Sequence, residues 1–299
     1  MKMNPVYKRE MMVSSRSMRL PLIITAFNSI LAVVALLNMY SNVVQVRMTA
    51  DVQYGSFLDL YRFVATIEFI MLMFIMPAIT AGTISGERER RTLDLMLTTG
   101  LKSRDIVAGK LGAAFITMFL VVISSFPVFA LVLVYGGITA RNVLFMMICF
   151  VAAAFFAGSL GICCSSLFKR STMATAASYA VLALTVAGTF AANSFAYSME
   201  KMSWSQSGYT MGMMGEQTVN SGGVFYTLLV NPAVTFLMIL QGKTGVLAGG
   251  VLEMYGARSS NLILDHWALV SIGVQILFSA VFVGIAVKMV RKKGIGRNA

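Results

Sequence analysis

Reactive side chains are scarce in this chain, and that scarcity removes whole classes of function. There is one histidine, His266, and neither an HExxH nor a GxSxG pattern, so no zinc-dependent or serine-dependent hydrolase is expected. A phosphate-binding loop is missing as well. Gly242-Lys243-Thr244 has the ending of one, but Leu237 stands where the first glycine is required. The chain is therefore not expected to be an enzyme or to hydrolyse ATP, and any ATP-driven work would need another polypeptide. The three cysteines, Cys149, Cys163 and Cys164, share one apolar run, which argues against a disulfide framework and for buried thiols. Charge is thin too: 12% of residues are charged, against roughly a quarter in an ordinary soluble domain. With 58% hydrophobic residues and a mean hydropathy of +0.78, the chain reads as an integral membrane protein.

What charge there is carries topology. The formal net charge of +12 is not gathered on one basic face, so the expected partner is the lipid bilayer and not nucleic acid. Six apolar runs reach the length of about 20 residues that a bilayer crossing needs. They lie at about 21–40, 63–84, 111–135, 143–168, 173–197 and 267–290. Residues 1–20 form a basic amphipathic lead-in, and 291–299 a basic tail. Lys and Arg number five before residue 20, six between Arg88 and Lys110, two at 169–170 and five from Lys288 onward, eighteen of the 24 in all. Six spans put all of these on one side, with both termini cytoplasmic in a cell membrane. The long loop 198–265 contains a further apolar run, Val224–Leu240, broken by Asn231-Pro232. Treating it as a seventh span would export the basic tail, so short interfacial or re-entrant helices on the outer side are expected before the last span.

One dense charged stretch separates the second and third spans: Gly82–Lys110, GTISGERERRTLDLMLTTGLKSRDIVAGK. Ser85 is suited to cap a helix whose first turn would hold Glu87 and Glu89. Leu93, Met96 and Leu97 share a face at helical spacing, while Arg88, Arg91 and Asp94 project elsewhere, and Gly100 is suited to end the helix. A short amphipathic helix at the membrane surface, about 86–99, follows. Ser103 and Asp105 then start a second helix that leads through Lys110 into the third span.

The order of these residues resembles the signature of the ABC-2 type transporter permease family. Its parts are the charged pair Glu87 and Glu89, Thr92-Leu93-Asp94-Leu95-Met96-Leu97, Thr98-Thr99, and Ile106-Val107-Ala108-Gly109-Lys110. The opening phrase Asn4-Pro5-Val6-Tyr7-Lys8-Arg9-Glu10 is similar to the start of such permeases. Two positions depart from the pattern: Arg91 stands where glycine is frequent, and Gly100 where proline is. The resemblance implies an all-α polytopic permease, an exporter with a cytoplasmic coupling helix that docks on a separate ABC ATPase subunit. It further implies a second permease copy or paralogue, with ATP and Mg held by the ATPase and no cofactor bound by this chain. Coupling contacts are expected at Glu87, Glu89, Arg90, Arg91, Thr92, Leu93, Asp94 and Leu97.

Two features fall outside that reading. Glu68 lies within the second span, where an ionised carboxylate costs at least ~2.5–3.5 kcal/mol. It is either a pathway or coupling group, as an ATP-independent channel or carrier would need, or an outer-end residue paired with Arg62 or a neighbouring helix. A non-transporting membrane scaffold is a third possibility. The outer-loop methionines Met199, Met202, Met211, Met213 and Met214 are soft ligands, but the chain holds 23 methionines throughout, so no metal site is expected there.

Overall fold

The computed structural model describes residues 5–15, 18–49, 54–98, 102–135, 138–208, 222–244 and 266–295. Thr99, Gly100, Met211, Met213 and Met214 lie outside them. The described residues are helical, with no strand among them. In order they form α1 (Pro5–Ser15), α2 (Arg19–Thr49), α3 (Tyr54–Ala81), α4 (Thr83–Glu89), α5 (Thr92–Thr98), α6 (Ser103–Tyr135) and α7 (Ala140–Leu167). There follow α8 (Ser171–Ala183), a π-helical turn (Leu184–Gly188), α9 (Thr189–Gly208), a 3-10 helix (Gly222–Val230), α10 (Pro232–Thr244) and α11 (Trp267–Ile295).

Six of these helices or helix runs are long and apolar enough to cross a membrane. Their solvent-free environment is visible in what they leave uncovered. Leu22, Ile30, Val33, Leu36 and Leu37 on α2 are each more than half exposed, a burden of bare apolar surface that hydrocarbon accepts and water does not. The helices outrun the apolar runs. α2 continues to Thr49 and α3 starts at Tyr54, so most of the loop expected at 41–62 is helical. Hydropathy marks only the part that crosses hydrocarbon, whereas the backbone ladder goes on as long as each amide finds its partner. An Arg62–Asp59 pair at 3.1 Å supports the first turns of α3.

The chain divides into two compact units, residues 1–179 with 278–299, and residues 180–277. In the first, α7 lies along α3 through its small residues. A Cβ on Gly161 would collide with the Thr80 side chain, and one on Gly158 would meet the Met76 methyl at 2.7 Å. The stripe Ala154–Gly158–Gly161 therefore serves packing within the chain. Phe115 and Phe155 (ring centroids 5.2 Å apart) and Phe156 and Phe282 (6.0 Å) join α6 to α7 and α7 to α11.

In the second unit, Phe225, Leu228, Val234 and Trp267 form the core. The Trp267 ring at the start of α11 is buried and packs on Phe225 at 5.0 Å. The 3-10 helix and α10 meet at 91°, so the apolar run Val224–Leu240 is a bent pair and not a straight span. Asn231 and Pro232 make the bend. Asn231 accepts the Ala233 amide at 2.9 Å as an N-cap, and Pro232 takes the first helical position, where its missing N–H costs nothing. The Asn231 amide nitrogen donates to the Val186 carbonyl (3.1 Å) in the π-helical turn and to Thr189 (2.7 Å), so a turn that disrupts the i–4 ladder is still satisfied.

Glycine at the α3–α7 contact leads to a graded expectation. Gly161→Val drives a branched side chain into Thr80 and should destabilise the protein by about 1–3 kcal/mol, read as a lower Tm in detergent. Gly158→Ala meets only a flexible methionine end and should cost much less. Equal shifts would contradict this packing.

Candidate functional site

The charged stretch between α3 and α6 folds as two helices, where one was expected at about 86–99. α4 starts at Thr83, so the cap foreseen at Ser85 is not made. The Ser85 hydroxyl donates instead to the Ala81 carbonyl at 3.0 Å. No side chain of its own segment caps α4. The first-turn amides of Ile84 and Ser85 both donate to Ser165 Oγ on α7, each at 2.9 Å. Capping by a distant residue satisfies the same orphan donors as a local cap.

Three successive charges of α4 then reach three different places. The Glu87 carboxylate accepts from Lys110 Nζ at 3.4 Å and from the Thr92 hydroxyl, and Lys110 also reaches Glu10 on α1 at 3.0 Å. Arg88 donates to the Phe168 carbonyl at 2.6 Å and to the Ser166 carbonyl at 3.0 Å, which closes the C-terminal end of α7. Glu89 accepts from the Ser171 amide (2.8 Å) and hydroxyl (2.9 Å) at the start of α8, where a carboxylate complements the positive end of the dipole. The two consecutive residues Arg88 and Glu89 thus grip the α7–α8 turn from both sides.

Lys110 is the centre of this arrangement. Its side chain is only 3% exposed and lies between Glu10 and Glu87, while Arg9 adds a longer contact to Glu87 at 3.8 Å. The residue before it makes the approach of α1 possible: a Cβ on Gly109 would meet the Tyr7 amide nitrogen and Val6 Cβ at 3.0 Å. Two pieces of sequence a hundred residues apart, the opening phrase and the Gly-Lys pair, are one contact in space.

Between α4 and α5 the chain turns at Arg90-Arg91. Arg91 has φ +56°, the one non-glycine residue with positive φ among those described. It occupies the left-handed position just past a helix end, where glycine is normally found, which accounts for glycine being frequent there in the resembling family. The Thr92 hydroxyl also bonds the Glu87 carbonyl at 3.1 Å, holding the turn shut.

The expected contact residues separate into an inner and an outer set. Leu93 is 3% exposed and packs with Ile84, Val107, Leu111, Ile162 and Val290, so it positions α5. Glu87, Thr92 and Glu89 are engaged as described. Arg90 and Arg91 are exposed. The Asp94 and Leu97 side chains lie outside the described ones, and only their helical backbone is placed. Leu95, which helical-face reasoning passed over, is an apolar residue that α5 presents outward, at 66% exposure. Arg88 and Ser165 were likewise missed, because their partners are backbone groups whose approach no periodicity reveals. Glu68 lies elsewhere. It is fully buried and accepts from Ser125 on α6 at 2.8 and 2.9 Å, while Arg62 pairs with Asp59.

Two substitutions probe this geometry. Lys110→Met leaves Glu10 and Glu87 without their shared cation, and removing one member of a buried ionic cluster costs about 3–5 kcal/mol. The expected readout is faster tryptic cleavage at Lys8 and Arg9 as α1 detaches, and unchanged cleavage would refute the docking. Arg91→Gly should relieve about 1 kcal/mol of left-handed strain, whereas Arg91→Val should lower the Tm. The opposite order would show that the turn is not strained.

Among curated proteins, none matches the chain. Residues 11–288 match the profile of a family described as ABC-2 family transporter protein. That range takes in the first five membrane-length helices, most of the sixth, and the clamped segment between α3 and α6. On a match of that extent, the chain belongs to the ABC-2 transporter family.

Proposed function

We propose that this chain is the permease subunit of an ABC transporter, an exporter, and that α4 and α5 couple it to a separate ATPase subunit. One observation carries the reading: the segment has an outer face made of Arg90, Arg91 and Leu95, and an inner side tied by Glu87, Arg88 and Glu89 to α1, α6, α7 and α8. Displacement of the outer face cannot stay local. It moves the α7–α8 turn and the foot of α6 together, which is how a two-state membrane domain is biased from one end.

The positive-inside distribution of basic residues supports placing this segment and both termini on the cytoplasmic side of the cell membrane. The bent 3-10 and α10 pair then belongs to the outer side. ATP and Mg are bound and used by the ATPase subunit. A second copy or a paralogue completes the substrate pathway, and the apolar faces of α2 and α11 are open to that neighbour or to lipid. The alternative of an ATP-independent carrier draws support from the buried Glu68. Such a carrier needs a series of ionisable groups, and the fully buried charged residues among those described are Glu68 and Lys110, the latter already engaged at the foot of α6.

The test is a double variant, Arg90→Glu with Leu95→Asp, expressed beside the ATPase. Both side chains are exposed, so insertion and Tm should be unchanged. Loss of a buried leucine contact is worth about 1.5–3 kcal/mol, so ATPase recovered by mild-detergent co-purification should fall at least tenfold. Full recovery would sink the docking role of α5, and the absence of any ATPase beside the unaltered chain would favour the carrier.

A further inference from the structure

A groove in the first unit is built from the beginning of α6 and the end of α11. Its volume is about 870 Å³. Lys102 and Arg104 line it from α6, and Lys288 and Arg291 from α11. These four side chains are exposed, and none forms an ion pair with another described residue. The α11 wall is different in kind. Ala280, Val283, Gly284 and Val287 follow one another at the i, i+3, i+4, i+7 spacing of a single helix face. At about 1.5 Å per residue this apolar strip runs roughly 10 Å back along the span, away from the cationic rim.

We propose that this groove binds an anionic phospholipid, its phosphate held by Lys102, Arg104, Lys288 and Arg291, and its acyl chain laid on the strip Ala280–Val287. Charge complementarity requires an anion. The continuous apolar wall requires that the anion carry a hydrocarbon tail, which neither a free phosphate nor an acidic peptide has. Gly284 leaves the seat open: a Cβ there would meet nothing within 4 Å. A lipid in this position ties the foot of α6, next to the clamped segment, to the end of the last span, so leaflet composition becomes an input to the same moving parts. The binding itself requires only that α6 and α11 cross the bilayer, and holds whether or not an ATPase docks on α5.

The experiment uses the full chain in phosphatidylcholine vesicles doped with spin-labelled phosphatidylglycerol or, separately, spin-labelled phosphatidylcholine, and reads the motionally restricted fraction of each. The unaltered chain should favour the anionic label. Lys288→Gln with Arg291→Gln should cut that preference by about fivefold per cation removed, whereas Lys8→Gln with Lys169→Gln, which removes the same charge elsewhere, should leave it intact. Gly284→Phe fills the acyl seat without touching a charge and should also abolish the preference, which separates a seated lipid from diffuse attraction to the surface. Equal losses in the two charge variants, an undiminished preference in Gly284→Phe, or displacement of the label by water-soluble glycerophosphoglycerol would each overturn the proposal.

Discussion

A lysine ammonium placed out of water must be accompanied, and the company Lys110 keeps organises the foot of this membrane domain. Glu10 and Glu87 supply carboxylates from two separate helices, so neither α1 nor α4 can leave α6 without exposing the remaining charges to a poor solvent. Gly109 makes the arrangement possible by letting the α1 backbone come within contact of α6. Close approach and charge pairing are therefore one device made of two adjacent residues.

From that anchor the short helix α4 behaves as a joint and not as a loop. Seven residues cannot hold a helix by themselves, since nucleation costs more than so few hydrogen bonds return. Its stability comes from elsewhere: Ser165 satisfies its first amides, Arg88 and Glu89 take the ends of α7 and α8, and the Thr92 hydroxyl closes the following turn. On the proposed coupling role, every one of these contacts is also a route for force. On the proposed reading, the stiffness that stabilises the segment is the property that lets it transmit movement, and the strained Arg91 at the α4–α5 turn is the position where the geometry asks for glycine.

The second unit solves a related problem with uncharged groups. Several of its polar residues are linked to one another: Gln275 donates to Thr235 and Ser271, Ser271 donates to the Leu229 carbonyl, and Asn231 reaches the π-helical turn. Each buried polar atom in that set has a partner, which is the condition for keeping bent backbone away from water.

The sequence alone determined the class of this protein and the six stretches whose helices are long and apolar enough to cross a membrane, because bilayer thickness converts directly into a count of consecutive apolar residues. It also determined that the Asn231-Pro232 pair interrupts its apolar run, since proline there removes a backbone donor and fixes a helix start. Helix limits were less legible: α2 and α3 run well past their apolar cores, and the single helix expected at 86–99 is two. What the tertiary structure decided is which charges are occupied. Glu87, Arg88 and Glu89 look alike in a charged string, yet one meets a lysine 23 positions on and the other two meet the α7–α8 turn some eighty positions on. Leu93 and Leu95 look alike as well, and only packing separates the buried one from the exposed one. Periodicity reports the faces of a helix, but which face is covered depends on neighbours brought from distant parts of the chain.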